Sequence, residues 1–231
     1  MDQSKLSRKE VRDDAYRMAA SIDARVPLLG PLLVVLAAIL LQFTLSDKIT
    51  IGPRWLLPAL EALLLLVLVL STPMEQVRHR TRHMLALSLI GLVSATNIVS
   101  LGLLVHYLLH GGKGNGRALI GSGAELWATN VLLFGLWYWE LDRGGPLARQ
   151  LGRAALPDFL FPQMSATRYA PTDWMPGLVD YLYTSFTNAT AFSPTDTMPL
   201  TATAKWLMTA QSLTALVTVG LVVARAVNIL S

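Results

Sequence analysis

Five stretches of this chain are apolar for long enough to cross the hydrocarbon core of a bilayer, about 30 Å, which takes about 20 helical residues. They are Val26 to Leu45, Trp55 to Ser71, Met84 to Leu109, Ala118 to Trp139 and Ala202 to Leu230. Charged residues make up only 15% of the chain and gather between these runs, whereas soluble domains carry roughly a quarter. The pattern predicts an all-α fold, a polytopic membrane protein with five transmembrane helices. A sixth apolar segment, Leu178 to Thr190, is too short to cross and ends in the polar set Thr187, Asn188 and Thr190. Its length predicts a re-entrant or interfacial helix. The residues before the first run include five acids, and no small-x-small cleavage pattern follows, so that run reads as a retained anchor.

The chain reads as one membrane domain over residues 1–231. A charged segment, 1–25, precedes three spans over 26–109, and a C-terminal unit over 118–231 holds the longest internal connection, 140–177. Lys5, Arg8, Lys9, Arg12, Arg17, Arg25, Arg78, Arg80, Arg82, Arg143, Arg149, Arg153 and Arg168 fall on one side of such a bundle; Lys48, Arg54, Lys113 and Arg117 fall on the other. Thirteen against four places the N-terminus in the cytoplasm and the C-terminus outside. Trp137, Tyr138, Trp139, Trp174, Tyr181, Tyr183 and Trp206 predict an aromatic belt at the inner interface. In the 140–177 connection, Leu147, Leu151 and Leu156 with Arg149 and Arg153 predict a short helix on the headgroups.

Composition also excludes chemistry. The absence of cysteine removes disulfides, thiol catalysis and Cys-ligated metal. The net charge of +4 is accounted for by lysine and arginine at the ends of spans, so nucleic acid is not an expected partner. His79 with His83, and His106 with His110, are four residues apart, but neither pair has a carboxylate beside it in sequence, and no metal or other cofactor is predicted. The glycine-rich run from Gly111 to Gly116 follows a helix and lacks the Gly-Lys-Ser/Thr order, so it is a linker. Ser165, Ser185 and Ser193 have no accompanying His and Asp pattern, and no enzyme is predicted. The hexamer Pro171 to Pro176 recurs with one change as Pro194 to Pro199. Each copy precedes a helix, where Thr and Asp act as capping acceptors and Pro as a starter.

Ionisable and amide side chains within a span are costly and mark candidate sites. Glu61, Asn97, His106 and Glu125 form the predicted intramembrane polar pocket, open to the outside. Such a pocket would serve a proton-coupled transporter working through Glu61, Glu125 and His106. The alternative is that the acids only tie helices together.

From Tyr183 to Thr201 the chain resembles the pore-loop potassium-channel superfamily. Its pore helix, filter and inner-helix start agree without a gap at Tyr183, Ser185, Ala189, Thr190, Asp196, Pro199 and Thr201. Gly220 falls where that family commonly carries a hinge glycine. The likeness covers roughly the last fifty residues. The C-terminal half is also similar to a group of bacterial integral membrane proteins with Ser-Phe-Thr before, and Ala-Val-Asn at the end of, the last helix, here Ser185-Phe186-Thr187 and Ala226-Val227-Asn228.

The resemblance implies a re-entrant pore-type helix, a homo-oligomer (a tetramer in that family) in the bacterial inner membrane, and monovalent cations as the permeant class. The filter residues it implies are Asn188, Thr190, Ser193, Pro194, Thr195 and Asp196, with Gly220 as hinge. Where the family has Gly-Tyr-Gly, this chain has Ser193-Pro194-Thr195. Proline fixes φ near −65° and restricts Ser193 to extended backbone, so the succession of carbonyls aimed at one axis in a potassium filter is not available. Rings of oxygens from Ser193, Thr195 and Asp196 would pass cations with poor selectivity. A non-conducting pore-loop scaffold that binds a partner is the further alternative. The charge count puts this pore loop on the cytoplasmic side, inverted relative to the family.

Overall fold

The computed structural model describes residues 29–45, 50, 53, 55–71, 79–110, 116–150, 156–166, 168, 174–190 and 196–230. The N-terminal segment, most of the glycine-rich run, and Ser193, Pro194 and Thr195 lie outside the described residues. The elements are α1 (Leu29–Thr44), α2 (Leu56–Ser71), α3 (His79–Leu109), α4 (Gly116–Leu141), a 3-10 turn (Asp142–Gly144), α5 (Pro146–Gln150), β1 (Phe159–Leu160), α6 (Pro162–Ser165), α7 (Leu178–Thr190), β2 (Met198–Pro199) and α8 (Ala202–Leu230).

The chain is thus mostly helical, and each predicted span lies on a helix. α3, α4 together with the 3-10 turn, and α8 provide stretches long and apolar enough to cross a membrane, Thr81–Leu109, Ala118–Gly144 and Ala202–Val227. α1 and α2 are apolar but have 16 residues each, a rise of about 24 Å. The distribution of polarity is inverted relative to a water-soluble bundle. On α1, Leu29, Leu33, Leu36, Leu40 and Phe43 form an exposed stripe, while Gln42 is buried with Val35, Ala38 and Ile39. On α8, Trp206, Leu213, Leu216, Val223 and Val227 are exposed, whereas Gln211 and Thr218 are buried. Outward apolar faces with inward amides and hydroxyls suit hydrocarbon surroundings, where helix contacts rest on small residues and polar links.

α4 is the central helix, in contact with α1, α3, α7 and α8. Val35, Ala38 and Ile39 of α1, Leu89, Ile90 and Val93 of α3, and Leu133 and Leu136 of α4 form one apolar cluster. Two glycines let neighbouring helices approach α4 closely. A Cβ at Gly123 would stand 2.3 Å from Cγ2 of Val222 on α8, and one at Gly135 would stand 2.6 Å from Cδ2 and 3.2 Å from Cα of Leu182 on α7.

α7 runs antiparallel to α4. Tyr181 lies at Asp142, Leu182 at Gly135, and Ala189 at Val131 and Trp127. α8 starts from the same end, with Ala204 in the cluster of Tyr138, Ala215 at Val131 and Val222 at Gly123. α7 therefore stops about half-way along α4. The segments that flank it are joined at the end where it begins: β1 pairs antiparallel with β2, Phe159 with Pro199 and Leu160 with Met198.

α4 ends because Arg143, Gly144 and Gly145 take φ values of 53°, 77° and 100° in succession, a left-handed path that glycine follows at little cost. Pro146 then starts α5. The predicted helix on the headgroups is this five-residue α5, and residues 151–155 lie outside the described set. Arg149 is a correction to that expectation. It is buried, because its Nη1 donates to the carbonyls of Trp139 at 2.6 Å and Asp142 at 2.8 Å, capping α4. Only part of the predicted aromatic belt lies at the surface, Trp206 and Tyr183 being exposed. Tyr138, Trp139 and Tyr181 are instead buried with Phe159 and Phe161 in an aromatic core at that end.

Candidate functional site: the polar seam between α4, α7 and α8

α7 is fixed at both ends by local bonds. At its start the Asp180 carboxylate accepts from the Gly177 N–H at 2.8 Å, a carboxylate three residues into the helix satisfying the amide that precedes it. At its end Trp127 of α4 donates Nε1 to the Ala189 carbonyl at 3.4 Å. α8 begins with Thr201, whose hydroxyl accepts from the Ala204 N–H at 3.3 Å and donates to Asp158 at 2.7 Å.

Between these ends runs a chain of buried amides and hydroxyls. Gln211 of α8 donates Nε2 to the Ser185 hydroxyl at 2.6 Å and to the Ser185 carbonyl at 2.9 Å. Ser185 passes its own proton to the Val131 carbonyl of α4 at 2.6 Å. Oε1 of Gln211 accepts from the Tyr138 hydroxyl and from Asn188 Nδ2, the latter at 2.8 Å. Asn188 also reaches the Met208 carbonyl at 3.0 Å, and its Oδ1 accepts from Ser212 at 3.1 Å. Gln211, Ser185 and Tyr138 are fully buried. In a low-dielectric interior such a satisfied network fixes one arrangement of the three helices.

A second cluster closes the same end of the bundle. Asp142, fully buried, accepts from the Asp158 N–H at 2.8 Å and from the Tyr181 hydroxyl. Asp158 in turn accepts from the Arg143 N–H at 2.8 Å. The Arg149 guanidinium lies 5.1 Å from the Tyr181 ring centre. Burial pulls Arg149 below its ordinary pKa, opposed by Tyr181 and Asp142; an arginine remains charged in this setting. His83 of α3 meets Glu140 at 2.9 Å. The histidine that has no acid beside it in sequence thus has one in space. Among the described residues, no group of three or more His, Cys, Asp or Glu is arranged to hold a metal ion.

The predicted filter residues are divided. Asn188 is turned into the seam, bound to α8 as described. Thr190 donates to the Thr187 carbonyl of its own helix at 2.9 Å. Asp196 is exposed at the end where α7 begins. Gly220 is exposed on an unbroken α8, with no heavy atom within 4 Å of where a Cβ would stand.

The predicted intramembrane pocket is not one pocket. Glu61 is fully buried and bonded to Gln42 and Thr96, at 3.0 and 3.1 Å. Asn97 donates instead to the Leu126 carbonyl of α4 at 3.4 Å. Adjacent residues on a helix point about 100° apart, so α3 directs Thr96 to α2 and Asn97 to α4. Glu125 is partly buried, its Oε2 lacking a hydrogen-bond partner. His106 is exposed and stacks on His110, with ring centres 4.0 Å apart; it lies about 14 Å along α3 from Asn97. Gln211, Tyr138 and Ser212 join the site without having been predicted for it. The available signal was an amide and a hydroxyl side by side within an apolar run, Gln211-Ser212. No family model, curated protein or solved structure matches this chain.

Proposed function

We propose that this chain is a channel-like integral membrane protein of the bacterial inner membrane that passes monovalent cations with poor selectivity. In this reading α1, α2, α3, α4 and α8 are five spans, α7 is a re-entrant pore-type helix, and several copies surround an axis, four by the resemblance. The observation that carries it is the depth of α7. This helix of 13 residues starts at one end of α4, stops near Val131, and its chain is back at the starting end by β2. A helix that ends mid-bundle aims its last carbonyls at the interior, where a cation is favoured. The sequence that follows α7 includes Ser193, Pro194 and Thr195, which carry oxygens but not the glycines that potassium selectivity requires. By the positive-inside count this mouth faces the cytoplasm.

The test is flux of potassium, sodium and protons into liposomes holding the purified protein, beside Asp196→Asn. Sodium and potassium flux of similar size, reduced in the folded variant, supports the channel. Absence of flux under every gradient overturns it.

A second reading, a non-conducting scaffold of the same architecture, is favoured by Asn188. Its amide is engaged by Gln211, Met208 and Ser212 and is withdrawn from any axis between copies. In that case the seam serves only to hold α7 in place.

A further inference from the structure

Apart from the seam, one ionisable side chain lies deep among α1, α2 and α3. We propose that Glu61 is a proton-binding site, a carboxylic acid that exchanges its proton through the cavity beside it. Burial carries the argument: Glu61 is fully enclosed by the helices around it. Thr96, with one hydroxyl proton, offers it to Glu61 Oε1 at 3.1 Å or to the Leu92 carbonyl at 3.0 Å. Gln42 donates to the other oxygen, Oε2, at 3.0 Å.

The surroundings agree. α1 has no titratable residue and α2 none besides Glu61; those of α3 lie in its terminal turns, from His79 to His83 at one end and at His106 and Tyr107 at the other. No cation lies within ion-pair distance of Glu61 among the described residues, which exclude Asp47, Lys48 and Arg54 of the nearby connection. An isolated carboxylate buried without a cation is far more costly than the neutral acid.

The exchange route is a partly open cavity of about 210 Å³ whose lining includes Gln42, Thr50, Pro53, Leu57, Thr96 and Ser100. Gln42 and Thr96, the two residues bonded to Glu61, thus also face the cavity, and rotation of either connects the acid to it. Thr50 and Pro53 place the cavity at the α1–α2 connection, the side opposite to the start of α7. The cavity thus lies toward that side of the bundle, and the site stands independently of whether the α7 module conducts.

The probe is dicyclohexylcarbodiimide, an apolar reagent that takes the proton of a neutral carboxylic acid and adds the carboxyl oxygen to its central carbon. Labelling of the full chain in liposomes, followed by peptide mapping, should place an adduct on Glu61 and none in Glu61→Gln. Its rate should fall about tenfold per pH unit above the midpoint of the acid. Mapping of the unaltered protein locates the adduct even if the variant does not fold. Absence of a Glu61 adduct overturns the proposal, as does a rate that is flat between about pH 5 and pH 9. Protection by sodium at fixed pH also overturns it, in favour of a cation site.

Discussion

Gln211 holds Ser185 twice, by its hydroxyl at 2.6 Å and by its carbonyl at 2.9 Å, and so ties the middle of α8 to the middle of α7. The same amide accepts from Tyr138 of α4 and from Asn188. Replacement by methionine, which fills a similar volume, leaves the buried Tyr138 hydroxyl without its acceptor and takes one partner each from Ser185 and Asn188. An unpaired buried group costs about 1–3 kcal/mol. Gln211→Met should therefore lower the melting temperature in detergent, and a cycle with Ser185→Ala should show coupling of about 1 kcal/mol. Additive effects would mean that the two residues do not share a network.

Arg149 supports the last turn of α4 through two carbonyls, while its guanidinium carbon lies 5.1 Å from the centre of the Tyr181 ring. Lysine keeps the charge but not the fork. Arg149→Met should destabilise by about 3 kcal/mol, since it leaves the carbonyls of Trp139 and Asp142 without their buried donor. Arg149→Lys should recover less than half of that loss. Thermal unfolding of the two variants side by side measures the difference.

Gly135 and Gly220 make opposite demands. A methyl at Gly135 meets Leu182 at both its side chain and its backbone, so α7 must move. Gly135→Ala should cost about 1–3 kcal/mol. Gly220→Ala meets nothing and should raise helix stability, by at most about 1 kcal/mol. Flux unchanged in Gly220→Ala would remove the hinge role implied by resemblance.

Because the chain has no cysteine, any introduced thiol is unique. Met198, at the end where α7 begins, and Trp55, near the cavity, are both exposed. The charge count predicts that a membrane-impermeant thiol reagent labels Trp55→Cys in intact cells. Met198→Cys should require permeabilisation. The reverse pattern would turn the whole bundle over.

The helical elements were legible because hydrophobic length alone defines them. α7 spans Leu178–Thr190 and the last helix Ala202–Leu230, bounds that follow from where apolar runs meet Pro, Gly and polar clusters. The partners of the polar residues were not legible. Glu140 lies 57 positions from His83, and only the packing of α3 on α4 brings them together. From the sequence Arg149 reads as an interfacial residue, because the neighbouring leucines suggest an amphipathic helix. Its burial depends on the turn at Arg143, Gly144 and Gly145, which folds it back under α4. Thr96 and Asn97 are adjacent in sequence, yet the pitch of α3 sends them to different helices.

The termination of α7 near Val131 gives the α4–α7–α8 unit two unequal cross-sections. On one side three helices stand abreast; on the other, α4 and α8 meet directly at Gly123 and Val222. Such a unit is a wedge. Placed in a bilayer it displaces more lipid from one leaflet than from the other, so membrane curvature and lateral pressure would act on the depth at which α7 rests.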